Sequence, residues 1–276
     1  MTQYAHPEVV VDSQWLLEHL LDPLVRIVEV ETHPEQNQNA HLPGAVFWNI
    51  FTDLLRPNLQ INFDSEAIAH LLSRSGITPE TTVIAYGSYP GTGAWIFWLL
   101  RWFGHERIVV LNGGYQKWVA EGHPLDPELS TYAAVPYPVP TSNSELRVLQ
   151  PEVAASWHQS DRVILDVRAL AEYKGKIFLM APPEEAERAG HIPGAIHVEH
   201  ALTLNEDGTF KSVEELRSLY TQAGVTEDKE VFPYCAIGGR SGYIWFVLKY
   251  LLGYPKVRNY DGSWNEWGRL PDVPIE

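Results

Sequence analysis

The chain carries the same short motifs twice, in the same order, and this repetition constrains its fold more than any other feature. Three pairs are offset by about 150 residues: 40–45 (AHLPGA) with 190–195 (GHIPGA), 97–100 (FWLL) with 246–249 (FVLK), and 111–118 (LNGGYQKW) with 260–267 (YDGSWNEW). Motifs that recur in register at one spacing indicate a duplicated domain. We therefore predict two copies of one domain, over residues 1–128 and 146–276, each of ordinary domain length.

The stretch between the two copies has the composition of a linker. Residues 129–145 read LSTYAAVPYPVPTSNSE, with three prolines and no helical period. Because proline-rich segments favour extended conformations, we predict a strap rather than a flexible tether.

Within each copy, short apolar runs alternate with amphipathic segments. The predicted strands are 82–86, 163–165 and 231–234, and the predicted helices are 93–103 and 241–252. A further helix is predicted to start at the capping box that runs from Ser212 to Glu215 and to end at Gly224. Strands and helices that alternate at this spacing favour an α/β fold, so each copy is predicted to form a mainly parallel sheet flanked by helices.

The only cysteine of the chain, Cys235, directly follows one of these predicted strands. Aligning the repeats sets Gly87 of the first copy against Cys235 of the second. In open α/β sheets, ligands bind at the carboxyl ends of the strands, which makes Cys235 a candidate nucleophile. The alternative is that a lone cysteine after an apolar strand is a small buried hydrophobic residue.

The segment after the cysteine favours the nucleophile. Two adjacent glycines allow the chain to curl and point several N–H groups at one centre, and the next helix adds the positive end of its dipole. Such surroundings favour a thiolate at that centre, whereas a core cysteine needs no such loop. The predicted anion-binding loop consists of Ala236, Ile237, Gly238, Gly239, Arg240 and Ser241.

With these motifs, both copies resemble rhodanese domains, and the whole chain resembles a two-domain sulfurtransferase of the thiosulfate type. The resemblance rests on HIPGA at 191–195, DVR at 166–168, the loop that starts at Cys235, and YDGSW at 260–264. In that family the C-terminal copy is catalytic and the N-terminal copy has lost its cysteine, which matches Gly87 set against Cys235.

The resemblance implies that Cys235 takes a sulfur atom from a donor as a persulfide and passes it to a thiophilic acceptor. The family donor is thiosulfate and the laboratory acceptor is cyanide. Arg168 is implied to bind the donor's sulfonate, and Arg240 to supply positive charge beside Cys235, since a planar guanidinium can donate two hydrogen bonds to paired oxygens. The alternatives are a surface ion pair of Arg168 with Glu172 or Asp166 and, for Arg240, a brace that bonds loop carbonyls.

The loop departs from the family in one respect. Thiosulfate enzymes commonly carry a basic residue just inside the loop, where this chain has Ala236 and Ile237. Mercaptopyruvate-type enzymes show a Cys-Gly-Ser-Gly-Val-Thr-like loop, which also differs. A 3-mercaptopyruvate-type sulfurtransferase therefore stays as an alternative, because the departure affects the donor more than the reaction.

Two further classes of protein and a metal site are alternatives for this chain. Cysteine phosphatases use Cys-x5-Arg, whereas the spacing from Cys235 to Arg240 is Cys-x4-Arg, a smaller cradle that suits a sulfur atom. The first copy fits a non-catalytic rhodanese binding module, and we expect it to form one wall of the cleft. His191, His197 and His200 lack the spacing of a zinc site, so no metal or cofactor is expected.

Charge and hydropathy restrict the partners. Lys+Arg number 20 and Asp+Glu 35, and the formal net charge of −15 opposes binding to nucleic acid or to an anionic membrane. The sequence shows neither an apolar run of about 20 residues nor the pattern of a secretory signal. We therefore expect a soluble cytoplasmic protein that binds a small anionic sulfur donor and a thiophilic acceptor, in an oligomeric state that the sequence does not indicate.

Overall fold

A computed structural model describes residues 3–35, 40–179, 181–184 and 187–276. The first domain contains β1 (Val10–Val11), α1 (Ser13–His19), β2 (Val25–Glu31), β3 (Val46–Asn49), α2 (Ser65–Arg74), β4 (Thr82–Tyr86), α3 (Thr92–Trp102), β5 (Ile108–Leu111) and α4 (Gly114–Ala120). Its strands pair in parallel in the order β1-β5-β4-β2-β3. This is the sheet expected of linked β-α-β units.

The second domain repeats the arrangement. It contains α5 (Gln150–Ser156), β6 (Arg162–Asp166), α6 (Leu170–Tyr173), β7 (Ile196–His197), α7 (Val213–Gln222), β8 (Glu230–Tyr234), α8 (Gly239–Phe246) and α9 (Ser263–Trp267). Its strands pair in parallel in the order β7-β6-β8, and parallel bridges from Val231 to Val257 and from Arg147 to Asn259 continue the sheet. The order of pairing therefore matches that of the first domain, which confirms the predicted fold class.

Local sequence signals set the helix boundaries. At the start of α7, the Ser212 hydroxyl accepts a hydrogen bond from the Glu215 N–H at 3.3 Å, and the Glu215 carboxylate accepts one from the Ser212 N–H at 3.0 Å. The helix predicted over 241–252 begins two residues earlier, at Gly239, and passes into a π-helical turn over Val247–Leu251. Gly253, with φ of +76°, then ends it.

The two domains pack through α3 and α8. A Cβ on Gly242 would lie 3.1 Å from the Trp95 ring and 3.3 Å from the Trp98 ring, so the helices approach closely only because this residue is glycine. Further along, the Phe97 and Phe246 rings meet at 4.9 Å between centroids. Because the start of α3 packs on the start of α8, the loops that precede both helices lie at the same end of the interface.

The segment that follows the first domain is extended. Residues 129–143 contain no helix or strand. Its backbone bonds the first domain at intervals, from the Val135 N–H to the Ser73 carbonyl at 3.1 Å and from the Asn143 N–H to the Trp102 carbonyl at 2.7 Å. No helix in the described part of the chain combines the length and hydropathy needed to cross a membrane.

Candidate functional site

Cys235 lies at the carboxyl end of β8, in the position that the sequence predicted. It is a free thiol with 1% of its surface exposed. Its N–H donates to the Ser263 hydroxyl at 3.0 Å, and its carbonyl accepts from the Trp264 N–H at 3.0 Å. Ser263 and Trp264, in the motif at 260–267, therefore fix the backbone of Cys235.

The loop after Cys235 turns back towards the sulfur. The Gly238 N–H donates to Sγ at 3.2 Å, and the Ser241 hydroxyl lies 3.6 Å from Sγ. Gly238 has φ of +94°, and a Cβ there would lie 2.7 Å from the carbonyl oxygen of Asp261. Only glycine meets both conditions, and α8 begins at the next residue, with the positive end of its dipole facing the sulfur.

The other loop residues line the same turn. Ala236 is buried, while Ile237 and Gly239 are partly exposed. The Ala236 carbonyl accepts from the Asn265 N–H at 2.8 Å, and the Gly238 carbonyl accepts from the Asn259 side-chain amide at 3.2 Å. The predicted loop thus forms a turn in which the Gly238 N–H and the Ser241 hydroxyl approach Sγ, and hydrogen bonds attach this turn to the segment that carries α9.

Arg240 is held in a bidentate ion pair. Its two terminal nitrogens donate to the two oxygens of Glu172, both at 2.7 Å. Burial acts to raise the pKa of Glu172, but Arg240 outweighs it and holds that pKa below its usual value. Burial acts to lower the pKa of Arg240, whereas Glu172 and then Cys235 raise it, with a net rise. Arg240 therefore stays charged beside Cys235. Both of its terminal nitrogens bond the Glu172 carboxylate rather than carbonyl oxygens of the loop.

Arg168 lies in a fully buried network with Asp166. Both side chains are 0% exposed, and the guanidinium donates to the Asp166 carboxylate at 2.6 Å and to the Gly190 carbonyl at 2.7 Å. The Tyr234 hydroxyl donates to the same carboxylate at 2.5 Å and accepts from the Ile192 N–H at 3.1 Å. The structure therefore pairs Arg168 with Asp166 in the protein interior rather than at the surface, and its Nη1 is buried without a hydrogen-bond partner among the described residues.

The first domain preserves part of this network but not its chemistry. Strand pairing sets Glu29 beside Tyr86 as it sets Asp166 beside Tyr234. The Tyr86 hydroxyl donates to Glu29, and the Leu42 N–H donates to that hydroxyl at 3.0 Å. The residue that matches Arg168, two places beyond Glu29, is Glu31.

Glu31 occupies the loop of the first domain. Its carboxylate accepts from the Ser88 N–H, so an internal anion lies where the second domain holds its thiol. A Cβ on Gly87 would lie 2.6 Å from the Val30 carbonyl oxygen and 3.1 Å from the Glu31 carboxylate. This loop therefore has no space for the side chain that Cys235 supplies in the second domain.

Two aromatic residues of the first domain contact the second domain. The Trp95 ring lies 3.5 Å from the position of a Cβ on Gly239. The Tyr89 ring packs edge-on against His200 and Tyr243, at 5.5 and 6.2 Å between centroids. Sequence reasoning expected a wall from the first domain but did not identify these side chains.

Three histidines of the second domain lie against backbone carbonyl oxygens. His191, His197 and His200 lie within hydrogen-bond distance of the carbonyl oxygens of Tyr173, Arg168 and Val167, at 3.0, 2.7 and 2.9 Å. Tyr173 stacks between His191 and His197, with centroids 3.8 and 4.6 Å apart. Each ring therefore braces the local backbone.

Comparisons with known proteins agree with this architecture. The model of the rhodanese-like domain matches residues 12–121 and 150–270. The chain is 44% identical to the sulfur carrier protein TtuD of Thermus thermophilus, over 99% of this chain and 98% of that protein. It is 40% identical, over 99% of both chains, to a Mycobacterium bovis protein named "Putative thiosulfate sulfurtransferase 1".

Solved structures show the same fold. The anaerobic ergothioneine biosynthesis enzyme of Chlorobium limicola superposes with a TM-score of 0.86 at 25% identity, over 100% of this chain and 72% of that one. A structure of EanB that carries a cysteine persulfide superposes with a TM-score of 0.89 at 24% identity, over 100% and 72%. Together with the match of both halves to one domain model, these similarities show that the chain belongs to the rhodanese family and consists of two rhodanese-like domains.

Proposed function

We propose that this rhodanese-family sulfurtransferase moves a sulfane sulfur from thiosulfate or a related donor, through a persulfide on Cys235, to cyanide or a thiol. One observation carries the proposal: Sγ lies in a turn where the Gly238 N–H donates to it at 3.2 Å, at the start of α8. A buried hydrophobic cysteine has no use for such a donor, whereas a thiolate is stabilised by it.

The reaction proceeds in two displacements. In the first, the Cys235 thiolate attacks the outer sulfur of thiosulfate, an S–S bond forms to Sγ, the S–S bond of the donor breaks, and sulfite leaves with the electron pair. In the second, the acceptor attacks the outer sulfur of the persulfide, and the electron pair of the breaking S–S bond returns to Sγ. The two steps give ping-pong kinetics.

The turn favours both forms of the cysteine. Backbone N–H groups at the start of a helix stabilise negative charge without needing to reorient during the reaction. The Ser241 hydroxyl, at 3.6 Å from Sγ, and the nearby charge of Arg240 add to this effect. In this proposal Arg240 acts through its charge rather than through hydrogen bonds to the donor, since both of its terminal nitrogens already bond Glu172.

The same geometry bears on the donor. Arg168 and Arg240 are each paired with a carboxylate, and the whole chain has a net charge of −15. A doubly charged donor such as thiosulfate therefore depends on backbone N–H groups for most of its stabilisation. For this reason the proposal includes related sulfane-sulfur donors of lower charge, and the name of one relative, a sulfur carrier protein, supports that wider class.

Intact-mass measurement tests the proposal. Wild-type protein incubated with thiosulfate should gain the mass of one sulfur atom, and cyanide should remove it with formation of thiocyanate. Cys235→Ser should gain none, and Ser218→Ala, a change in an exposed side chain of α7, should behave as wild type. The proposal is wrong if wild type gains no sulfur from thiosulfate or from a small persulfide, or if Cys235→Ser still carries the adduct.

A further inference from the structure

The hydroxyl of Tyr89 is buried and has no hydrogen-bond partner among the described residues. Tyr89 belongs to the first domain, in the loop that corresponds to the Cys235 loop of the second. A buried hydroxyl without a partner is unfavourable, so this hydroxyl is free to bond an acceptor that enters the site during function.

Contacts with the second domain hold this side chain in place. Its ring lies edge-on to His200 and Tyr243, at 5.5 and 6.2 Å between centroids. His200 is fixed by its contact with the Val167 carbonyl at 2.9 Å, and the Tyr243 hydroxyl bonds that of Thr203. Tyr89 therefore spans from the segment that follows β7 to the first turns of α8, the two elements that flank the Cys235 turn.

The loop that carries Tyr89 lies beside the Cys235 turn, because the Trp95 ring, in the first turn of α3, is 3.5 Å from the position of a Cβ on Gly239. Burial and then the neighbouring Tyr243 raise the pKa of Tyr89 well above its usual value, and the charge of Cys235 raises it further while that of Arg240 lowers it. The hydroxyl thus keeps its proton and can only gain from an acceptor that appears beside Cys235.

We propose that Tyr89 donates a hydrogen bond to the outer sulfur of the Cys235 persulfide, so that the first domain supplies a catalytic side chain to the site of the second. The inference rests on the proposed function. When cyanide attacks, its carbon forms a bond to the outer sulfur, the S–S bond breaks, the electron pair returns to Sγ, and thiocyanate leaves. The hydrogen bond from Tyr89 withdraws charge from the outer sulfur and so favours attack by an anion, while the proton stays on Tyr89.

Single-turnover discharge of the preloaded protein tests the role. Wild type and Tyr89→Phe are loaded with thiosulfate, freed of excess donor, quantified by intact mass, and mixed with cyanide while thiocyanate is followed. Tyr89→Phe should load to the same extent, because the cradle around Sγ is unchanged, but should discharge about tenfold more slowly, the effect of one lost hydrogen bond to a charged acceptor.

Tyr254→Phe is the matched control. Tyr254 is 2% exposed, and its hydroxyl donates to the Val225 carbonyl oxygen at 3.0 Å, so the partner it loses is not the persulfide. Its variant should discharge at the wild-type rate. A second readout is melting temperature: loading with sulfur should stabilise wild type more than Tyr89→Phe, while the two unloaded proteins should melt alike, since Phe keeps both ring contacts.

The outcomes separate the inference from the proposed function. If wild type loads and Tyr89→Phe discharges at the same rate, Tyr89 does not contact the outer sulfur and the inference is wrong. It is also wrong if Tyr89→Phe, folded as judged by its melting, fails to load, because the hydroxyl then acts on the donor. If wild type itself takes up no sulfur, the proposed function fails first.

Discussion

Replacing Arg168 with methionine distinguishes a buried brace from a donor-binding arginine. Arg168 and Asp166 are both 0% exposed, and the guanidinium also bonds the Gly190 carbonyl at 2.7 Å. Methionine fills much of the same volume but leaves the Asp166 carboxylate buried without its cation. Breaking a buried pair in this way costs about 3–5 kcal/mol, and the orphaned carbonyl adds about 1 kcal/mol.

We therefore expect Arg168→Met to lose about 4 kcal/mol or more of its free energy of unfolding, measured by urea denaturation. Arg217→Met is the control, because Arg217 and Glu227 form an ion pair with side chains 49% and 64% exposed, and its loss should cost less than about 1 kcal/mol. Adding Asp166→Asn to Arg168→Met removes the uncompensated charge and should restore about half of the lost stability.

Steady-state kinetics complete the comparison. The fraction of Arg168→Met that is folded should keep a KM for thiosulfate within about twofold of wild type, because the side chain offers the donor no exposed surface. The reasoning is refuted if the variant unfolds at the wild-type urea concentration while its KM rises about tenfold. That result would mean that the guanidinium leaves Asp166 to bind the sulfonate.

Two further changes probe the Cys235 turn. Gly238→Ala should lower persulfide loading and should lower the free energy of unfolding by about 1–2 kcal/mol or more. Alanine is strained at this positive φ, and its Cβ would lie 2.7 Å from the Asp261 carbonyl oxygen. Loading equal to that of wild type would contradict this prediction. Glu172→Gln should be less stable than wild type at neutral pH. Arg240 lowers the pKa of Glu172 in the folded protein, so the ion pair stabilises the fold above the ordinary glutamate pKa, and this stabilisation is lost as pH falls through the folded pKa. The difference in unfolding free energy between wild type and Glu172→Gln should therefore narrow in acid. A difference that does not depend on pH would contradict this prediction.

Local patterns were sufficient to predict the fold and the position of Cys235 at the end of a strand. The strand 82–86 coincides with β4, the box from Ser212 to Glu215 caps α7, and the repeat alignment placed Cys235 at the end of a strand. These features depend on hydrophobic period, capping and glycine position, all of which are encoded over a few neighbouring residues. The duplication supplied the rest, since it allowed each copy to be interpreted against the other.

The sequence did not reveal which carboxylate pairs with which arginine. Asp166 and Glu172 both lie close to Arg168 along the chain, and Arg240 is distant from both. The actual pairs, Arg168 with Asp166 and Arg240 with Glu172, follow from the register of β6 with β8 and from the position of α6 beside the loop. Tyr89 was missed for the same reason, because its contacts with His200 and Tyr243 exist only once the two domains have packed.

The loop of the first domain holds the Glu31 carboxylate, whereas the corresponding loop of the second domain holds the Cys235 thiol. With Glu31 bonded to the Ser88 N–H, its loop already holds a negative group and has no need of an external one. This hydrogen bond fixes Ser88. Tyr89, next in the chain, packs across the domain interface on His200 and Tyr243. A single rhodanese domain would possess the thiol and its N–H cradle but would lack this hydroxyl. If Tyr89 donates to the persulfide as proposed, the first domain contributes a side chain to the site of the second, although Gly87 stands in its own loop where the second has Cys235.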